Sequence, residues 1–164
     1  LAAKPRATAG TSVPATLAPV LAAGRWDVVA AVAAGGALGS LARWALGEAL
    51  PTAAGGFPWA TFTANVSGAL ALGLLMVLVL DLWPPSRYLR PFVATGLLGG
   101  FTTFSAYMLE TRDLLDAGHA GLALTYVAAT LVVGLGGTWA GVVAGRAGVV
   151  AGRRRGGRTT RRSA

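Results

Sequence analysis

Three polar side chains stand inside stretches that otherwise exclude water, and they set the chemistry open to this 164-residue chain. Asn65 lies in Trp59-Ala60-Thr61-Phe62-Thr63-Ala64-Asn65-Val66-Ser67-Gly68, with Thr61 four residues earlier and so on the same face of a helix. Arg43 follows Gly39 by four residues, and Glu110 closes a row in which Phe101, Phe104 and Tyr107 recur at intervals of three. Ionisable or strongly polar groups at membrane depth are costly, which makes each a functional candidate. The plainer readings are an interhelical hydrogen bond for Asn65, a snorkelling cation for Arg43, and lipid-facing or core packing for the aromatic row. His119 is a lone loop histidine and receives no role.

Taken together, this is an inventory of donors: an amide, several hydroxyls, a guanidinium, and aromatic edges carrying partial positive charge. Such a set describes a path for an anion. A small, strongly hydrated anion needs many close donors to replace its water, and ring edges add weak ones inside a narrow passage. Catalysis finds no support. There is one histidine, and the six acids lie at or near segment ends, so neither a Ser/His/Asp set nor paired carboxylates can be assembled. With no cysteine, disulfides, thiolate metal sites and cysteine nucleophiles are excluded.

The elements that must position these residues follow from composition. With 54% hydrophobic and only 12% charged residues, the chain is too apolar for an ordinary soluble domain. Apolar blocks at 27–49, 58–82, 91–110 and 120–145 are each near the length that crosses the hydrocarbon core, and closed backbone hydrogen bonding requires them to be helices. Turn chemistry separates them: Pro51, Gly55, Gly56 and Pro58; then Trp83-Pro84-Pro85-Ser86 with Arg87, Arg90 and Pro91; then Asp113, Asp116, Gly118 and His119. The expected fold is an all-α membrane protein of four transmembrane helices. A flexible tail is expected at 1–26, the membrane domain at 27–145, and a basic tail at 146–164.

The third block is unlike the others. Thr95-Gly96-Leu97-Leu98-Gly99-Gly100-Phe101-Thr102-Thr103-Phe104-Ser105 puts three glycines and four hydroxyl residues at membrane depth, predicting a helix interrupted near Gly99–Thr103. An interruption releases backbone carbonyls that can bind a hard cation such as sodium. Gly35 with Gly39, and Gly137 with Gly141 and Gly145, keep the spacing that lets helix backbones approach closely, either within the chain or across a dimer seam.

Net charge is +8, and its placement carries the meaning. With both termini in the cytoplasm, twelve of the fourteen Lys and Arg residues lie inside and Arg112 lies outside, while Arg43 falls near the end of the first span. The Arg-rich stretch after Gly152 is read as a topology determinant. It could contact anionic lipid, but no aromatic interleaves its arginines to stack on bases, so no nucleic-acid partner is expected.

In order and spacing, Gly35-Gly36-x-x-Gly39-x-x-x-Arg43, Thr61-x-x-x-Asn65-Val66-x-Gly68 and Gly99-Gly100-Phe101-Thr102-Thr103-Phe104-Ser105-Ala106-Tyr107-x-x-Glu110 resemble the Fluc (CrcB) fluoride channels. The match covers about 27 to 145, and the third motif is the specific one. The resemblance implies a four-helix subunit in an antiparallel dimer in the cell membrane, passive fluoride export, fluoride pores along the subunit interface, and a structural sodium ion at the dimer centre. It places Asn65, Phe104, Tyr107, Thr61, Ser105, Glu110, Arg43 and Thr130 along the pore, and the carbonyls of Gly99 and Thr102 on sodium. The family usually has Phe at 107 and Thr at 106, where this chain has Tyr107 and Ala106. The one-sided cation bias further implies a heterodimer with an oppositely oriented paralogue. Two other readings stay open: a small four-span proton-coupled multidrug exporter, and a non-transporting membrane subunit. An exporter needs a carboxylate deep in a span, whereas Asp27, Glu48 and Glu110 lie near span ends.

Overall fold

The computed structural model describes residues 26–81 and 86–160. It contains α1 (Trp26–Ala49), α2 (Trp59–Asp81), a π-helical segment π1 (Pro91–Leu98), α3 (Gly99–Phe101), α4 (Phe104–Asp116) and α5 (Ala120–Thr160), and no strand among the described residues. Four helical stretches are long and apolar enough to cross a membrane: Trp26–Ala49, Trp59–Val79, Pro91–Asp116 and Ala120–Ala151. The four-span, all-helical expectation therefore holds. The expected N-terminal tail lies outside the described residues apart from Trp26.

Glycine decides which helices meet. A Cβ on Gly35 would run into the Phe92 carbonyl oxygen and one on Gly39 into that of Leu97, while one on Gly96 would come within 2.6 Å of the Val32 oxygen. The first span thus lies backbone against backbone along π1 and α3. A second seam joins α2 to α5, where Gly73 faces the Thr138 carbonyl and Gly141 that of Leu70. Lipid gives no hydrophobic drive to associate, so close backbone approach is what holds these pairs together. The glycine spacing read from the sequence accordingly serves packing within the chain. Both seams are parallel, since rising residue numbers on one helix meet rising numbers on the other. Odd and even spans therefore run in opposite directions, as the short connections require.

The connections are tied by polar contacts. Asp27 in the first turn of α1 pairs with Arg87 at 3.0 Å and accepts the Tyr88 hydroxyl at 2.8 Å. That bond also pushes the Tyr88 phenol above the ordinary tyrosine range. Gly55 (φ +70°) and Gly118 (φ +79°) take left-handed turns that a side chain would strain. The exposed His119 ring lies across Gly55, where an added Cβ would stand 2.6 Å from Nε2.

Two boundaries differ from the sequence reading. The third span does not end at Glu110 but runs to Asp116, helped by an i,i+4 ion pair of Arg112 with Asp116 at 3.2 Å. The helix of the fourth span continues past the apolar block that ends at 145 and stays helical to Thr160. Arginine is a good helix former, so a cationic run need not end a helix.

Candidate functional site

Between α3 and α4 the backbone leaves helical geometry for two residues, Thr102 (φ −84°, ψ 158°) and Thr103 (φ −151°, ψ 124°). Extended backbone at membrane depth must find hydrogen-bond partners inside the protein. Asn65 on α2 supplies two of them. Its Nδ2 donates to the Thr103 carbonyl at 3.0 Å, and its Oδ1 accepts the Thr103 N–H at 2.8 Å. One side-chain amide thus mimics a strand partner for Thr103, and Nδ2 has a second hydrogen to offer. Gly68, nearly one turn further along α2, makes room for Thr102, whose Cγ2 occupies the space a Cβ at 68 would need.

The free ends on either side of the extended pair are also met. Half-buried Arg43 donates Nε–H to the Gly100 carbonyl at 3.2 Å, so it reaches inward from the first span and does not simply snorkel to the interface. Thr103 Oγ1 caps α4 by accepting the Ala106 N–H at 3.2 Å, and stands 3.2 Å from Ser105 Oγ. The Thr103 and Ala106 amides are the usual i+4 donors to the carbonyls of Gly99 and Thr102, and here they bond elsewhere. Those two oxygens are hard, neutral donors, the chemistry that suits a hard monovalent cation and not a soft metal. Among the described residues no group of His, Cys, Asp or Glu is gathered to hold a metal.

Beyond the cap, α4 carries Phe104, Tyr107 and Glu110 at three-residue spacing. Phe101 does not continue the row, because it belongs to α3 on the far side of the extended pair. Phe104 is 74% exposed, standing clear of its own chain, while Tyr107 is 6% exposed. Their centroids are 6.0 Å apart. The Tyr107 hydroxyl donates to the Val127 carbonyl on α5 at 3.3 Å. Asn65, Thr102, Thr103, Phe104, Tyr107 and Thr130 line a groove of about 450 Å³ whose remaining walls are small or apolar residues of α2, π1, α3 and α5. Thr130 returns its hydroxyl proton to the Tyr126 carbonyl at 2.7 Å, which leaves its oxygen as an acceptor or weak contact at the groove.

Glu110 is joined from two sides. Thr61 Oγ1 donates to Oε1 and the Tyr126 hydroxyl to Oε2, each at 2.7 Å. Tyr126 is fully buried and meets Tyr107 edge to face at 5.1 Å, so aromatic and polar contacts run without a gap from the groove to Glu110. Glu110 also borders a second hollow of about 160 Å³, lined by Thr52, Ala53, Gly55, Gly56, Pro58 and Asp113 among others, toward the opposite end of α4. Sequence reading missed Tyr126. Its signal was present, because it stands four residues before Thr130 and shares that residue's helix face.

Of the expected site residues, Asn65, Phe104, Tyr107, Thr130 and the Gly99/Thr102 pair converge on the groove. Thr61 and Glu110 form the adjoining polar cluster, Arg43 sits behind the break on Gly100, and Ser105 is exposed beside Thr103.

Comparison with known proteins converges on one group. The family model described as CrcB-like protein, camphor resistance (CrcB), matches residues 30–142. A fluoride-specific ion channel, FluC 3, of Streptomyces avermitilis is 53% identical over 122 residues, covering 74% of this chain and 60% of that protein. FluC 2 of Nocardia farcinica is 46% identical over 143 residues, 87% of this chain and 99% of the relative. FluC of Rhodospirillum centenum is 45% identical over 119 residues, 70% and 92% respectively.

Proposed function

This chain belongs to the CrcB family, and on that premise we propose that it is a fluoride-specific ion channel: a passive, multi-pass membrane pore and not an enzyme. The observation that carries the reading is the Asn65 clamp on Thr103, which sets the start of α4 so that Phe104 and Tyr107 stand beside the groove. Fluoride that sheds its water there meets the second Nδ2 hydrogen of Asn65 and the electropositive ring edges at 104 and 107, with the exposed Ser105 hydroxyl outside the groove beside Thr103. Thr61, Glu110 and Thr130 border the path without donating to it, since the Thr61 and Thr130 hydroxyl protons are already given to Glu110 and to the Tyr126 carbonyl, and Arg43 adds positive potential while holding the Gly100 carbonyl. Chloride is larger and more weakly hydrated, so it gains less from closely set donors and fits a narrow passage poorly.

The carbonyls of Gly99 and Thr102 fit a structural sodium ion, which when bound would place a fixed positive charge beside the break. Support for a dimer comes from the exposure of Phe104 and Ser105 and from a groove left open on one side, which a second chain would close. The partner is an inverted, paralogous subunit, consistent with relatives numbered FluC 2 and FluC 3 in Streptomyces avermitilis. This chain then sits with both termini in the cytoplasm, where its arginines favour it. Fluoride enters cells as neutral HF and dissociates in the more alkaline cytoplasm, so a passive anion path across an inside-negative membrane expels it without energy coupling.

Liposomes holding this chain together with its inverted partner, and loaded with fluoride or chloride, test the reading. Rapid fluoride release that requires a compensating cation current, with chloride retained, is the expected result. Electroneutral release tied to a proton gradient would point to a coupled exporter, and no release above protein-free liposomes would leave a non-transporting subunit.

A further inference from the structure

We propose that the C-terminal half of α5 binds the headgroups of anionic phospholipids, with Arg146 at the phosphate level and Arg153, Arg154, Arg155 and Arg158 just beyond it. The proposal needs α5 to cross the bilayer but does not rest on the fluoride reading.

Helix length carries the argument. At about 1.5 Å per residue, the 41 residues of α5 extend about 60 Å, twice a hydrocarbon core of about 30 Å. Counted from Ala120, Trp139 lies about 28 Å along the axis and Arg146 about 39 Å. A Trp 70% exposed at the first depth is the usual interfacial anchor, and the second depth is the headgroup layer of a bilayer about 40–45 Å thick. Arg153 to Arg158 follow at about 50–57 Å, roughly one to two Debye lengths beyond the phosphates at physiological salt, where they add a weaker, salt-screened attraction.

The neighbouring cations are already committed within the chain. The α2–α5 seam brings the end of α2 beside this part of α5, and there Arg90 donates to the Val79 carbonyl at 2.9 Å while Arg87 pairs with Asp27. Arg146 has no ion-pair partner among the described residues. It is exposed and borders a shallow hollow of about 420 Å³ shared with Ala147, Val150 and Ala151. Small neighbours leave room around the guanidinium for a headgroup, and a planar guanidinium matches a phosphodiester with paired N–H donors. Cations grouped next to a membrane helix attract an anionic leaflet.

The test uses the full chain in neutral detergent micelles, offered phosphatidylglycerol or phosphatidylcholine, with retained lipid counted by mass spectrometry and Tm followed. Retention of phosphatidylglycerol should exceed that of phosphatidylcholine by about fivefold per engaged arginine and should weaken as salt is raised. Arg146→Gln combined with Arg153→Gln, Arg154→Gln, Arg155→Gln and Arg158→Gln should abolish the preference, Arg146→Lys alone should keep part of it, and Arg112→Gln should leave it unchanged. Equal retention of both lipids, or a salt-insensitive preference in the unmodified chain, overturns the proposal even if the variants misfold. So does an equal Tm gain from inorganic phosphate, which would indicate a site for free anions, or displacement of the lipid by duplex DNA.

Discussion

At the scale of single residues, two hydroxyls make separable predictions. The Tyr107 hydroxyl is turned to the Val127 carbonyl, so the groove meets the ring and not the phenol proton. Tyr107→Phe removes one hydrogen bond, worth about 1 kcal/mol, and should lower Tm slightly while fluoride release from liposomes stays close to that of the parent. Tyr126→Phe is harsher, because Glu110 loses one of its two hydroxyl donors. A hydrogen bond to a charged group contributes about 1.5–3 kcal/mol, so thermal unfolding should show a clearly larger loss than for Tyr107→Phe. The contrast between these residues also shows what the sequence could reveal. Asn65, Thr61 and Glu110 stood out because polar groups are rare among apolar neighbours. Tyr126 did not, since an aromatic residue in an apolar helix looks like core until its hydroxyl partner on another helix is known.

At the scale of elements, glycine seams and a two-residue interruption of helical backbone organise the chain. Gly73→Leu must push α5 away from α2 at the Thr138 carbonyl and should cost at least the 1–3 kcal/mol typical of overpacking, whereas Gly134→Ala, with open space around it, should be neutral or slightly stabilising. Thermal unfolding in detergent measures both. All four spans could be read from apolar run length to within a residue at their starts, because lipid demands uninterrupted hydrophobicity and leaves few alternatives. The ends of the third and fourth spans were not legible. Thr111, Arg112, Asp113 and Asp116, like the arginines after 145, are polar, and polarity marks where the bilayer ends without marking where a helix ends. The π-helical winding of Pro91–Leu98 has no sequence signal beyond a proline at its start and the glycine that packs against α1. The extended geometry at Thr102 and Thr103 owes as much to Asn65 and Gly68 on α2 as to the glycines before it, a dependence that local composition does not display.

For the whole molecule, charge placement and the open groove bear on assembly. Twelve of fourteen cations on one side predict a single orientation: reporter fusions at the C-terminus should score cytoplasmic, and an equal split between both sides would instead indicate a dual-topology homodimer. Fold class was legible from hydrophobic run lengths alone, while the pore had to be read from motifs whose partners lie on different helices. The most direct test of the account is fluoride release from liposomes holding this chain with its inverted partner, comparing the parent with Asn65→Ala, Phe104→Ile and, as a control, Gly134→Ala. Loss of the Thr103 clamp or of the ring edge at 104 should slow release by about tenfold or more, the factor expected for about 1.4 kcal/mol at the barrier, with the control unchanged. Parent-like release from both pore variants, in protein that is folded and inserted, would contradict it.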